Sequence, residues 1–390
     1  MNIEKIRNDI TDYGDKLFLN SAGSSLMAKS IVQKIEHYLR QEEKFGGYKV
    51  AELRAKDISG FYYQAAELIG ADPKNIAFTH DATDAYIKAL SSIPFKSGDV
   101  IITTDDDYAS NHIQFISLKK RIGVETIKIK TLQNGDLDIP HFQELLAKQK
   151  PKLVAVTHVP TNSGLIQNVE AIGQHCHEQR VLFLLDACQS VGQLNVDIRK
   201  IKCDFLTTTG RKFLRGPRGT GFLYVSDKAL DDKHYPLFLD GGGATWSQPD
   251  QFEAFQTAKR FETWERPYAL LIGLGEALRY TNEIGIENIQ AYNEKLMTRL
   301  RENLKGLTDV KLFDNGSKTC NILTFRKEGK SLEEIEKVFD FNNVFFSDSQ
   351  KEWGIIDFQK KGIDWAIRLS PHYFNTIDEM DKVSEIIESI

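Results

Sequence analysis

Two stretches of this sequence place side chains that could do chemistry together. In "LLDACQSVGQLNVD" (184–197) Asp186 closes an apolar run and Gln189 follows three residues later. In "TTTGRKFLRGPRGTGFLYV" (207–225) Lys212 stands at the mouth of a loop turned by Gly216, Gly219 and Gly221. A lysine amine can condense with a carbonyl, and a carboxylate can hold a proton on a ring nitrogen. Three further apolar runs end in candidates. Ala82 and Thr83 follow "NIAFTHD" at a helix start, Asp107 and Tyr108 follow "DVIITT", and Thr161 and Asn162 follow "KLVAVTHV". A helix start offers N–H groups to an anion, and a tyrosine offers a flat face. Singly, each residue has a plainer role as a helix cap, a solvated charge, a packing residue or a turn former. Their joint placement at run ends separates the chemical reading from the plain one.

The elements that must position these residues follow from the hydrophobic pattern. Residues 75–80, 99–104, 124–130, 152–159, 181–187, 203–209 and 219–225 read as strands, several of them apolar on both faces as buried parallel strands are. Helical stretches at 82–93, 138–149 and 168–179 lie between them. Strand and helix in alternation predict an α/β domain with helices flanking a mostly parallel sheet, in which ligands gather at the carboxyl ends of the strands. From about residue 266 the pattern changes to a long helical region, then "NILTF", "SLEEIEKVFD", "NVFFSD", "WAIRLS" and a last helix, predicting a smaller α+β domain. The expected division is an N-terminal segment 1–30, a large domain 31–265 and a small domain 266–390. The helix in "MAKSIVQKIEHYLRQEEKF" could pack on either part, and no internal repeat or low-complexity linker interrupts the chain.

Composition narrows the function. The 390 residues are 41% hydrophobic and 27% charged, ordinary for a globular protein. A net charge of -5 and a pI near 6.0 argue against nucleic acid or an anionic membrane as the main partner. No apolar run approaches the roughly 20 residues that span a bilayer, and the first residues lack a signal-peptide stretch, so the expected location is cytoplasmic. Cys176, Cys188, Cys203 and Cys320 show no CxxC spacing, so neither a metal site nor a disulfide framework is expected. "GGGATW" (241–246) lacks the spacing and the position of a dinucleotide fingerprint, which removes a nicotinamide dehydrogenase.

Pyridoxal 5'-phosphate uses the full set: a Schiff-base lysine, an acid on its pyridine nitrogen, a phosphate cradle and a flat neighbour for its ring. From "FLNSAGSSLMAKS" (18–30) to "WAIRLSPHYFNTIDEMD" (365–381) the chain resembles the class V aminotransferase family of fold-type I pyridoxal phosphate enzymes, which includes cysteine desulfurases, epimerase-like proteins and C–S lyases. Its most specific pieces match the family's Asp-x-x-Gln segment and its Ser/Thr-Gly-His-Lys-x-x-x-Gly-Pro-x-Gly loop. The resemblance implies that Lys212 carries the cofactor and moves the Cα proton, that Asp186 pairs with the pyridine nitrogen, and that Gln189 bonds the phenolic oxygen. Ala82, Thr83, Thr209 and Arg211 would hold the phosphate, with Tyr108 on the ring and Thr161 and Asn162 beside it. Arg368 would clamp the substrate carboxylate, Asn20 and Ala22 would line the substrate side, and Thr263 would be a phosphate ligand lent across a homodimer.

The departures from the family pattern point to a reaction. Tyr108 replaces the histidine that desulfurases place over the ring, and Arg211 replaces the histidine before the lysine. No cysteine lies between Cys320 and Arg368, where a persulfide-forming nucleophile is needed. β-Elimination at a cysteine-derived amino acid is therefore the expected activity, ahead of transamination to a keto acid and of epimerisation. A regulatory module that binds the cofactor without turnover would be expected to lack Asp186 or Arg368, and both are present.

Overall fold

In a computed structural model that describes residues 1–390, the seven runs read as strands form one sheet. Its order across the sheet is Ile76–Thr79, Gly221–Val225, Phe205–Thr209, Leu182–Asp186, Leu153–Thr157, Val100–Thr103 and Glu125–Lys128. Every pairing is parallel except the two made by Gly221–Val225. Apolarity on both faces has the expected cause. Along Leu182–Asp186, Phe183 and Leu185 enter one core while Leu182 and Leu184 enter another on the opposite face. Burying such strands under two helical layers removes their apolar surface from water, at about 25 cal/mol per Å². The parallel strands all deliver their carboxyl ends to one edge.

The helices that matter to that edge begin with local signals. The Asp81 side chain accepts the Asp84 N–H at 2.8 Å and starts helix Ala82–Ser91. Helix Ala109–Ile122 begins after Tyr108 and ends at Gly123 in the left-handed region. The helix expected ahead of the large domain spans Lys29–Phe45 and packs with helix Tyr268–Ile284. Leu271, Leu274 and Leu278 of that second helix share the core of the large sheet with Phe61 and Phe78.

The long helical region read as starting the small domain at 266 is two helices, broken at Gly285 with φ +86°. Packing changes partner beyond that glycine, after Ile286 and Ile289, which still enter the core of the large sheet. Ile286–Lys305 sends Leu296 and Leu300 into a separate core with Leu323, Phe325, Ile367, Leu369, Val383 and Ile387. There Val310–Leu312, Leu323–Lys327, Trp365–Leu369 and Ser347–Gln350 make an antiparallel sheet in that order. Capping boxes at Ser331/Glu334 and Thr376/Glu379 open its two covering helices, Leu332–Phe341 and Ile377–Ser389. The N-terminal segment is stitched to this part, since Leu17–Phe18 pairs with Val344–Phe345 and Asn20 bridges Ser370. No helix is long and apolar enough to cross a membrane.

One glycine fixes the approach of two functional loops. Gly192, at φ +95°, sets its backbone against Phe213 and Leu214, where a Cβ would stand 2.6 Å from the Phe213 carbonyl carbon. Gly192→Ala must adopt a left-handed backbone, at about 1–2 kcal/mol, and displace the chain next to Lys212. Its expected loss of unfolding free energy in urea is about 2 kcal/mol or more. A midpoint equal to that of the unaltered chain would contradict this account of the contact.

Candidate active site

At the carboxyl edge of the large sheet the loops enclose a cleft of about 370 Å³. Ala82, Thr83, Tyr108, Thr161, Asp186, Gln189, Thr209, Arg211 and Lys212, all singled out from the sequence, line it. Lys212 follows strand Phe205–Thr209 in a turn tied by Gly210 N–H to Thr220 C=O and Gly216 N–H to Gly210 C=O, both at 2.8 Å. Arg215 pins the turn from behind. Its φ is +58°, its Nε donates to the Leu26 carbonyl at 2.8 Å, and its Nη1 donates to the Tyr373 hydroxyl at 3.0 Å. Its guanidinium also lies over the rings of Tyr373 and Phe374, at 5.1 and 5.0 Å.

Burial sets the electrostatics. It pushes the Lys212 amine below its ordinary value, and the positive neighbours Arg211 and Arg368 act the same way while Asp186 opposes. Burial raises the proton affinity of Asp186, as does the charge of Asp107. Against that, Asp186 Oδ1 accepts the Cys188 N–H at 3.0 Å and Oδ2 accepts Asn111 Nδ2 at 3.1 Å. Gln189 donates to the Ala22 carbonyl at 3.2 Å, leaving its own Oε1 buried with no partner. The Asp81 side chain takes the Asp84 N–H, and the first helical carbonyl acceptor serves Ala85, so Ala82 and Thr83 begin the helix ahead of its ladder.

Five expected residues lie outside the cleft lining. Arg368, on Trp365–Leu369, is buried with an unpartnered Nε, and burial beside Arg211 lowers it to about 10. Ala22 reaches the cleft only through Gln189, and its N–H donates to the Ser370 hydroxyl at 2.9 Å. Asn20, bridged to Ser370, keeps a buried and unpartnered Oδ1. Asn162 faces the small domain instead, where its carbonyl accepts Thr324 Oγ1 at 2.9 Å and Lys361 Nζ at 2.8 Å. Thr263 donates to the Glu265 carbonyl at 3.1 Å in a surface turn. The stretch "GGGATWSQPDQF" forms an exposed hairpin, Ala244–Gln248 with Gln251–Ala254, and gives the cleft no residue.

Several lining residues escaped the sequence reading: Asn111, Thr157, Val159, Cys188, Arg218 and Gly219. For Thr157 and Val159 a signal existed, since alternate residues at the end of a strand share a face with its ligand-facing tip. For Asn111 there was none.

Comparison with known proteins identifies the family and the fold. A family model described as aminotransferase class V matches residues 17–383. A probable cysteine desulfurase of Methanothermobacter thermautotrophicus is 26% identical, over 100% of this chain and 98% of that protein. The apo structure of the cysteine desulfurase from Thermococcus onnurineus NA1 superposes with a TM-score of 0.92 at 25% identity, over 100% of this chain and 98% of the other. The cystine C–S lyase C-DES, in complex with its reaction product cysteine persulfide, has the same fold, with a TM-score of 0.85 at 20% identity over 96% and 98% of the two chains.

Beside the cleft, helix Ile355–Lys361 closes on the loop after Val100–Thr103. Lys360 bonds Asp105 at 2.7 Å, Lys361 bonds Asp357 at 2.6 Å, and Ser163 donates to Asp106 at 2.8 Å. Burial and the nearby Asp357 push Asp106 up to about 7, and burial raises Asp357 as well. A carboxyl whose folded-state pKa is raised stabilises fully below its unfolded value of about 4 and loses that contribution as pH rises through the folded value. Hydrogen exchange in residues 351–364 is therefore expected to accelerate between about pH 6 and about pH 8 by more than the intrinsic rate does. Asp106→Asn should remove the excess, and an excess that persists in the variant would refute the assignment.

Proposed function

Because this chain belongs to the class V aminotransferase family, we propose that it is a pyridoxal 5'-phosphate enzyme that cleaves the Cβ–S bond of a cysteine-derived amino acid by β-elimination. The observation that carries the reading is a buried lysine amine sharing one cleft with a strand-terminal aspartate and an open helix start. The residues fit the cofactor. Gln189 Oε1 is a buried acceptor in want of a donor, and Arg211 adds a cation beside the Ala82–Thr83 helix start. Thr209 and Thr83 would join them on the phosphate, Asp186 would face the ring nitrogen, and Tyr108 would cover the ring. When bound, the cofactor supplies a carbonyl for the substrate amine and a ring that accepts electrons from a bond broken at Cα.

The chain's own groups do the rest. A depressed pKa leaves more of the Lys212 amine neutral near physiological pH, which suits it to take a proton from the substrate Cα. Arg368 stays cationic at neutral pH even when lowered to about 10, and its planar fork matches a carboxylate. Transfer of sulfur to an enzyme thiol is disfavoured. Cys176, Cys203 and Cys320 are buried away from the cleft, and burial beside Asp186 keeps the one lining thiol, Cys188, protonated. With no thiolate to receive it, the sulfur departs as a protonated thiol, or as a persulfide where the substrate is cystine, and water hydrolyses the remaining unsaturated amino acid to pyruvate and ammonia.

A homodimer and a cytoplasmic location belong to the same reading. Thr263 lies in a surface turn beside Trp264, close to an exposed hairpin that carries Trp246, an aromatic surface suited to cover by a second copy.

The first test is visible absorption of protein supplied with pyridoxal phosphate, with L-cystine and an S-substituted cysteine added in the absence of a keto acid. The expected result is a cofactor band that persists while pyruvate and a sulfur product accumulate over many turnovers. Lys212→Ala should slow this by about a thousandfold. Alanine in place of pyruvate would mark sulfur transfer to an acceptor. A single stoichiometric loss of the band with no sulfur released would mark transamination, and either result would replace elimination.

A further inference from the structure

We propose that Asp107 and Asn111 are positioning residues, a hydrogen-bonded pair that holds the Asp186 carboxylate and the Tyr108 ring in one rigid frame for the cofactor. The proposal rests on the pyridoxal phosphate reading of the cleft. Asn111 lies within the first turn of helix Ala109–Ile122 and is buried. Its Nδ2 donates to Asp107 Oδ1 at 3.0 Å and to Asp186 Oδ2 at 3.1 Å, so the two N–H bonds of one amide are both used on carboxylates.

The two carboxylates differ in what they have left to offer. Asp107 Oδ1 accepts the Tyr108 N–H at 2.7 Å, Asn111 Nδ2 and the Thr157 hydroxyl, while its Oδ2 accepts the Thr103 hydroxyl at 3.0 Å. Four donors fill the lone-pair sites of a carboxylate, about four in number, so Asp107 is framework. Asp186 receives two donors, from Cys188 N–H and Asn111, and keeps acceptor capacity on the cleft side. Asp107 thus grips the backbone that bears the Tyr108 ring and, through Asn111, the acid expected at the ring nitrogen. Besides Asn111, the titratable groups facing Asp186 come from four elements: Asp107 after Val100–Thr103, Cys188 in its own loop, Lys212 after Phe205–Thr209, and Tyr86 of Ala82–Ser91, whose buried hydroxyl has no partner. The charge of Asp107 raises the proton affinity of Asp186, which favours a proton held between Asp186 and a ring nitrogen.

The test uses the full chain loaded with pyridoxal phosphate and reads three properties apart from turnover. These are the dissociation constant of the cofactor, its visible circular dichroism, and the pH midpoint of its absorption band. In Asn111→Ala the cofactor should bind about ten- to a hundredfold more weakly, the loss expected for one hydrogen bond to a charged group, and the visible dichroism should shrink. Asp107→Asn keeps the shape of the pair and removes its charge, so it should retain the dichroism while shifting the pH midpoint. Wild-type values of all three properties in folded Asn111→Ala would overturn the proposal. Should that variant fail to fold, an unmoved pH midpoint in Asp107→Asn overturns it instead. Failure of the unaltered protein to take up pyridoxal phosphate would strike the functional reading itself and remove the premise, an outcome distinct from variants that bind as the wild type does.

Discussion

Removing water from Lys212 sets the terms for what packs around it. An ammonium carried into a low-dielectric interior loses solvation worth several kcal/mol, which neighbours must offset or which the group escapes by shedding its proton. Here the neighbours work in both directions, because Asp186 stabilises the charged amine while Arg211 and Arg368 oppose it. Cations therefore crowd one region whose nearest buried carboxylate, Asp186, already receives hydrogen bonds from Cys188 and Asn111. An excess of positive charge with open N–H groups at a helix start is an environment that anionic groups complete.

Three pieces far apart in the chain meet to keep that environment closed. The N-terminal segment links the lysine turn to the small sheet, with Ser25 N–H on the Arg211 carbonyl at 2.8 Å and Ser21 N–H on the Ser370 carbonyl at 3.0 Å. Arg215 then joins the lysine turn to Leu26 and to Tyr373 of the small domain. Arg368 acts on Lys212 from a strand of the small sheet, so its distance from the amine depends on how the two sheets sit together. An arrangement divided in this way couples the placement of the two sheets to the spacing between the Lys212 amine and the Arg368 guanidinium.

Much of this was legible before folding was considered. Asp186, Lys212, Ala82 and Thr83 stand where short apolar runs end, and strand ends are marked locally by the switch from apolar to polar residues. Asn111 carried no such mark. An asparagine near a helix start resembles a surface residue, and its value comes from two carboxylates brought in by other loops. Asn162 shows the opposite error, a polar residue at a strand end whose neighbour Thr161 lines the cleft while it turns to the small domain. Strand-end residues point to alternating sides, and the alternation becomes irregular once the strand has ended.

By itself, the sequence determined the α/β alternation, the strands, the lysine turn and the acid that faces it, because each depends on hydrophobic periodicity or on residues close in the chain. Only the tertiary structure decided that helix Tyr268–Ile284 belongs to the large core, that Asn111 joins two aspartates, and that Asn162 and Thr263 stand outside the cleft. These are matters of which distant surfaces come together and how much water they exclude. Burial and pairing of that kind arise between elements, and no window along the chain contains both partners.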